Sequence, residues 1–164
     1  MEQAGIAAAH IWVASGGATH AGLLAAGLLV GAPYRVTGIS YHKSSADSAR
    51  ERIAAAATEA AQLLGYGLVV TAEQVDNESG YATEPLYDGT ELRWEPVLEV
   101  ARAEGILLEP CYTGRAMLAL CDRIRAGRWP AGQAAILVHS GGLPLLFPLG
   151  RRGLPDSVGQ QNAG

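Results

Sequence analysis

The stretch from His10 to Gly31, "HIWVASGGATHAGLLAAGLLVG", constrains the fold more than any other part of this chain. Residues 10–14 combine β-branched and aromatic side chains and read as a short buried strand. The run breaks at Gly16 and Gly17 and passes directly into residues 20–31, a helical segment that is apolar nearly all round and is expected to be buried. A buried strand feeding a buried helix needs a layer to cover it and a parallel strand to return to.

The remainder repeats this alternation. Residues 34–40, "YRVTGIS", form a second strand, and residues 45–65 a long helix that Ser45 or Asp47 can cap and Gly65 stops. Its charges, Arg50, Glu51, Arg52 and Glu59, leave an alanine and leucine face for the sheet. A weaker third strand is expected within 67–75 and a polar, turn-rich loop over 76–91. Helices follow over 92–105, interrupted by Pro96, and over 113–127, with Thr113 as N-cap and Gly127 as stop. Residues 134–139 make a strong, buried final strand running into glycines, 143–147 a short turn, and the tail after Arg151 is polar. The βαβα order predicts an α/β fold: a mostly parallel, twisted sheet with helices on both faces, one domain over 1–150 and a polar tail over 151–164.

Composition narrows the function. Hydrophobic residues are 49% and charged residues 17%, as in a globular domain. A net charge of −4 argues against nucleic acid, which asks for a basic face. No apolar run approaches the ~20 residues of a membrane span. The first ten residues lack a signal peptide's positive end and cleavage site, so a cytoplasmic setting is expected. Cys111 and Cys121 stand ten apart without neighbouring ligands, so neither a disulfide nor a metal site is expected.

Parallel sheets bind ligands outside the carboxyl ends of their strands. Two glycine-bearing strand exits lie there. Ser15, Gly16, Gly17, Ala18 and Thr19 open a helix, where free N–H groups and the helix dipole suit a phosphate. From the residues alone the plainer reading is a tight turn, because "GGATHAG" is neither GxGxxG nor a Walker loop. His20 reads as a helix-start or packing histidine rather than a ligand. Tyr112, before a helix start in "EGILLEPCYTGRAM", either projects its phenol into a crevice or bonds a backbone carbonyl. Ser140, in "HSGGLPLLF", either bonds a ring nitrogen or caps the turn that follows.

Together "ASGGATHAGL", "ESGY", "EGILLEPCYTGRAM" and "HSGGLPLLF", in this order and spacing, resemble one family over Ile11 to Phe147. It is the pyridoxal-phosphate-dependent D-cysteine desulfhydrase and 1-aminocyclopropane-1-carboxylate deaminase family, of the tryptophan-synthase-β-like fold (fold type II), and the match is to its carboxyl-terminal portion. The resemblance implies that Ser15 to Thr19 cradle the phosphate of pyridoxal 5'-phosphate and that Ser140 bonds its ring nitrogen. Tyr112 and Tyr81 would be catalytic, facing substrate and cofactor ring. The deaminase branch carries an acid after the tyrosine. Thr113 stands there instead, which resembles the desulfhydrase branch and implies conversion of D-cysteine to pyruvate, ammonia and sulfide. Cys111, Glu109 and Arg115 depart from the family's usual valine, aspartate and lysine, and the segment after Tyr81 is longer and more polar than usual.

The chain has a single lysine, Lys43, on a polar turn that reads as solvated surface. By resemblance, the lysine that carries the cofactor and the Ser-Asn-His segment that grips the substrate carboxylate precede the glycine loop. The chain is therefore expected to be a carboxyl-terminal piece, inactive without the amino-terminal half or a second subunit, the complete enzyme being a homodimer. The alternative is a non-catalytic α/β phosphate- or cofactor-binding module.

Overall fold

A parallel four-stranded sheet organises the computed structural model, which describes residues 9–83 and 92–153, with side chains as far as Gly150. The strands are β1 (Ala9–Ser15), β2 (Tyr34–Ser40), β3 (Asp76–Glu78) and β4 (Ala134–Val138), in the spatial order β3-β2-β1-β4. β1 is flanked in register by β2 and β4, with Trp12 opposite Thr37 and Leu137. The helices are α1 (Ala18–Val30), α2 (Ala46–Leu63), α3 (Glu95–Glu104), α4 (Thr113–Arg125) and α5 (Leu146–Gly153).

Side-chain alternation along β1 divides the core into two layers. Ile11 and Val13 join Val36 and the α1 residue Leu23 on one face. Trp12 joins Ile39 and the α4 residues Ala116, Ala119 and Leu120 on the other. Helices therefore cover both faces, as the alternation predicted. On the first face Ala21 and Ala25 of α1 meet Ile53, Ala54 and Ala57 of α2, small side chains that let the two helices approach closely. Ser45 caps α2 by accepting from the Ser48 N–H at 3.1 Å, and Gly105 ends α3 in the left-handed conformation at φ 68°. No described helix is long and apolar enough to cross a membrane.

Five expectations need correction. The third strand is Asp76–Glu78, not a stretch of 67–75, which holds only a single 3₁₀ turn at Ala72–Gln74. Polar side chains hold this unlikely strand to β2: Thr37 donates to Asp76 at 2.7 Å and Asn77 to Ser40 at 2.8 Å. The loop over 76–91 thus begins as a strand, and its residues 84–91 lie outside the described residues. α1 is only half-buried: His20, Ala21 and Ala25 are inside, while Val30 is 76% exposed. β4 is half-buried and at the edge of the described sheet, because it pairs with β1 alone. The segment after 143 is a 3₁₀ turn (Leu143–Leu145) continued by α5, which crosses the expected start of the tail at 151; Leu149 anchors it in the cluster of Trp94, Val97 and Leu108. Residues 154–164 lie outside the described residues. The fifth correction, the cap of α4, belongs to the site.

Candidate functional site

At the carboxyl end of β1 a crevice of about 270 Å³ is lined by Gly16, Gly17, Ala18 and Thr19 from the first loop. Tyr41 enters it after β2, Tyr112 and Thr113 at the start of α4, and Ser140, Gly141 and Gly142 after β4. Its size lies at the lower edge of ligand pockets, roughly 300–1,000 Å³. Three of the sequence-predicted groups, the glycine loop, Tyr112 and Ser140, therefore meet in one place.

The two helix N-termini at this crevice differ in kind. The first N–H groups of any helix lack an intrahelical partner. At α4 they are already met by Glu109, which is fully buried. Its carboxylate accepts from the N–H of Cys111 at 2.7 Å, of Tyr112 at 3.0 Å and of Thr113 at 2.6 Å, and from the Thr113 hydroxyl at 3.1 Å. The cap of α4 is thus Glu109, not Thr113, because a carboxylate four residues upstream reaches three donors at once. Gly142 makes room for it: a Cβ there would lie 2.7 Å from Glu109 Cγ, and its φ is 92°. At α1, by contrast, no side chain caps the helix and no acid stands in the first turn. Gly17 is extended at φ −170° and a Cβ on it would meet open space. The open N-terminus of α1 is where an anion fits, and the α4 position already holds the protein's own.

Two predicted groups are placed elsewhere. The Ser15 side chain is buried beneath the loop and bound to His20, with Oγ 2.8 Å from Nδ1, so its hydroxyl does not line the crevice. Tyr81 lines a separate pocket of about 310 Å³ with Arg115 and Asp122 and donates to the Asp122 carboxylate at 3.3 Å. Burial and that carboxylate push the Tyr81 phenol up. Two groups escaped the sequence reading. Glu109 was visible only as an acid shortly before a helix. Tyr41 follows a strand exit, packs edge-to-face on Tyr112 at 4.6 Å, and sets its hydroxyl where a Cβ on Gly16 would stand.

Other chemistry is thin around the crevice. Lys43 is exposed and does not line it. Burial first, then the Glu109 charge, pushes the Cys111 thiol up to about 11, which leaves it inert at neutral pH. Among the described residues no three His, Cys, Asp or Glu could hold a metal ion together. A larger cavity, about 750 Å³, lies between α1, α2 and the start of β2, away from these residues. Its charges are largely paired within the protein: Arg35 with Asp76 and Arg50 with Asp47, each at 3.6 Å.

A doubly covered parallel sheet, with an uncapped helix start and a second glycine-bearing strand exit at one crevice, defines an α/β protein of the class that binds ligands at its strand ends. No protein-family model matches the chain. It is 37% identical over 134 residues to a 1-aminocyclopropane-1-carboxylate deaminase of Pseudomonas syringae pv. tomato, a match covering 79% of this chain and 38% of that protein. The protein of the same name from Ralstonia nicotianae is 32% identical over 130 residues, again covering 79% and 38%. A crystal structure of an ACC deaminase homologue superposes with a TM-score of 0.70 at 28% identity, covering 87% of this chain and 42% of that one. The chain is similar to a carboxyl-terminal portion of the pyridoxal-phosphate-dependent family of 1-aminocyclopropane-1-carboxylate deaminase. It spans about 38% of the length of the curated relatives it matches.

The crevice fits the non-covalent part of such a cofactor. The open first turn of α1 suits the phosphate, and the Ser140 hydroxyl stands on another wall of the same crevice for a ring atom. It does not fit the covalent part, for no lysine lines it.

Proposed function

We propose that this chain forms the phosphate- and ring-holding part of a pyridoxal-phosphate lyase acting on a small amino acid. In this reading Gly16 to Thr19 bind the phosphate through backbone N–H groups, helped by the Thr19 hydroxyl. Ser140 bonds the ring nitrogen, and a neutral hydroxyl there leaves that nitrogen unprotonated. Tyr112 moves a proton at the leaving group, and Tyr41 braces it by edge-to-face packing. When bound, the cofactor supplies the electron sink for the bond broken at the substrate's α carbon. The remaining family length supplies the lysine and the Ser-Asn-His segment, as a contiguous part or a second subunit, in a homodimer.

For the reaction we favour D-cysteine and water giving pyruvate, ammonia and hydrogen sulfide. The residue after Tyr112 is Thr113, whose hydroxyl and N–H are both taken up by Glu109. No free carboxylate therefore follows the tyrosine, whereas the deaminase branch carries one there. The observation that carries the whole reading is the shared crevice of the open α1 N-terminus, Tyr112 and Ser140. A second reading, a non-catalytic phosphate-binding module, is favoured by the absence of a lysine from the crevice lining.

Titration of the 164-residue chain with inorganic phosphate and pyridoxal phosphate tests the site. The expected outcome is reversible binding of both, lost on dialysis and unchanged in Lys43→Ala. Adding the complementary part of the family's length should then give turnover of D-cysteine, with 1-aminocyclopropane-1-carboxylate as the comparison. Binding without turnover favours the module; binding of neither ligand ends both readings.

A further inference from the structure

Beneath the glycine loop lies a polar pair that the cofactor site does not explain. Ser15 ends β1 at 3% exposure, and His20, in the first turn of α1, is fully buried. Ser15 Oγ and His20 Nδ1 are 2.8 Å apart, with the direction of donation set by the imidazole tautomer. His20 Nε2 is buried and has no hydrogen-bond partner among the described residues. Burying a ring with one nitrogen unmatched is costly, and an apolar side chain would fill the space without that cost. β2 is also adapted to the imidazole. A Cβ on Gly38 would overlap His20 Nδ1 and would lie 2.6 Å from Ser15 Cβ, so a bare backbone there admits both side chains.

The loop they span needs a tie. Gly16 and Gly17 are the least constrained residues a chain can place in succession. No side chain caps α1, so nothing else in its first turn fixes the uncapped N–H groups. Given the reading that Gly16 to Thr19 hold a phosphate, we propose that His20 is the positioning residue of this loop. Through Ser15 it joins the end of β1 to the first turn of α1 across the two glycines. The tie thereby sets the direction of the Gly17, Ala18 and Thr19 N–H groups before an anion arrives. Preorganisation of this kind raises affinity by lowering the ordering cost of binding. Burial lowers the His20 ring to about 4, so the tie is neutral and unchanged across physiological pH.

The test is a double-variant cycle on the 164-residue chain: wild type, Ser15→Ala, His20→Leu and both together. Each is titrated with inorganic phosphate and with pyridoxal phosphate, following the Gly17 to Thr19 amide signals, with urea midpoints measured in parallel. Each single variant should lose about tenfold in phosphate affinity, the scale of one buried hydrogen bond. The double variant should lose no more than the weaker-binding single one, because both remove the same tie. His20→Gln, whose amide can reach Ser15, should keep most of the affinity. If His20→Leu does not fold, Ser15→Ala reads the same tie through loss of one oxygen. Folded single variants with unchanged affinity, or losses that simply add, overturn the inference and leave the phosphate site standing. A wild-type chain that binds neither ligand overturns the site and this inference together.

Discussion

Gly16 and Gly17 adjoin in sequence and differ in what they need. Gly16 is glycine because the Tyr41 phenol occupies the place of its Cβ. Gly17 is extended, with open space around it, so a side chain there would strain nothing. The sequence reading allowed for a positive φ at Gly17, and none is present. Gly17→Val therefore isolates anion access from folding. Its stability should stay within about 0.5 kcal/mol of wild type, as for an exposed substitution. Its phosphate affinity should fall about 10- to 100-fold, the worth of one or two hydrogen bonds to a charged group. An unchanged phosphate titration would reduce the loop to a turn. His20 makes the stability of the fold depend on pH. Burial lowers it to about 4, against 6.5 when exposed. Below pH 6.5 the unfolded chain binds this proton and the folded chain does not until about pH 4. Stability is thus fully present above pH 6.5 and declines as pH falls toward 4, by on the order of 3 kcal/mol at the bottom of that window. His20→Gln should flatten the decline in urea midpoint between pH 7 and 4.5. A residual slope should persist from His10, lowered by burial and by Arg35.

Among the elements, α4 depends on a group outside itself. Glu109→Ala would leave the N–H groups of Cys111, Tyr112 and Thr113 without their acceptor in a buried setting. The expected cost is about 3 kcal/mol or more, because each unmatched buried donor costs roughly 1–3 kcal/mol. Glu109→Gln keeps one oxygen and should cost less; equal urea midpoints for the two variants would deny the cap. Glu109 also shows where sequence reading stops. Strands β1 and β2 were legible because β-branched and aromatic runs leave their pattern in a short window, and α2 because Ser45 and Gly65 mark its ends. β3 was not legible: "DNE" has no strand propensity and exists through Thr37 and Ser40, 39 and 37 residues earlier. α5 was missed because its anchor, Leu149, meets Trp94 and Leu108, which only the folded chain brings near. In the site, the glycine loop and Ser140 were legible as strand exits and Tyr112 as a helix entry. Tyr41 acts through a contact across the crevice, which no local pattern encodes, and Glu109, though its contacts are local, reads in sequence like any acid ahead of a helix.

At the scale of the whole molecule, the proposed function gives the chain one part of a cofactor site, and the test of that role is restoration. Tyr112 stands at the entry to α4 with its backbone N–H fixed by Glu109 and its ring braced by Tyr41. In the proposed function, a phenol on a backbone fixed in this way would give or take a proton at one point. Ser140 lies across the same crevice at the edge of the sheet. The two residues should therefore fail differently when the complementary portion of the family's length is added. Tyr112→Phe keeps the ring packing and removes only the hydroxyl. It should leave pyridoxal phosphate affinity near wild type while lowering turnover about 10²-fold or more, the range of general acid–base catalysis. Ser140→Ala should weaken cofactor binding by about 1 kcal/mol, one neutral hydrogen bond, with a smaller loss of turnover at saturating cofactor. The measurement is kcat for D-cysteine alongside cofactor Kd for each variant. If Tyr112→Phe instead weakens the cofactor and leaves kcat intact, the phenol is a binding group, and the proton must move through another residue of the assembly.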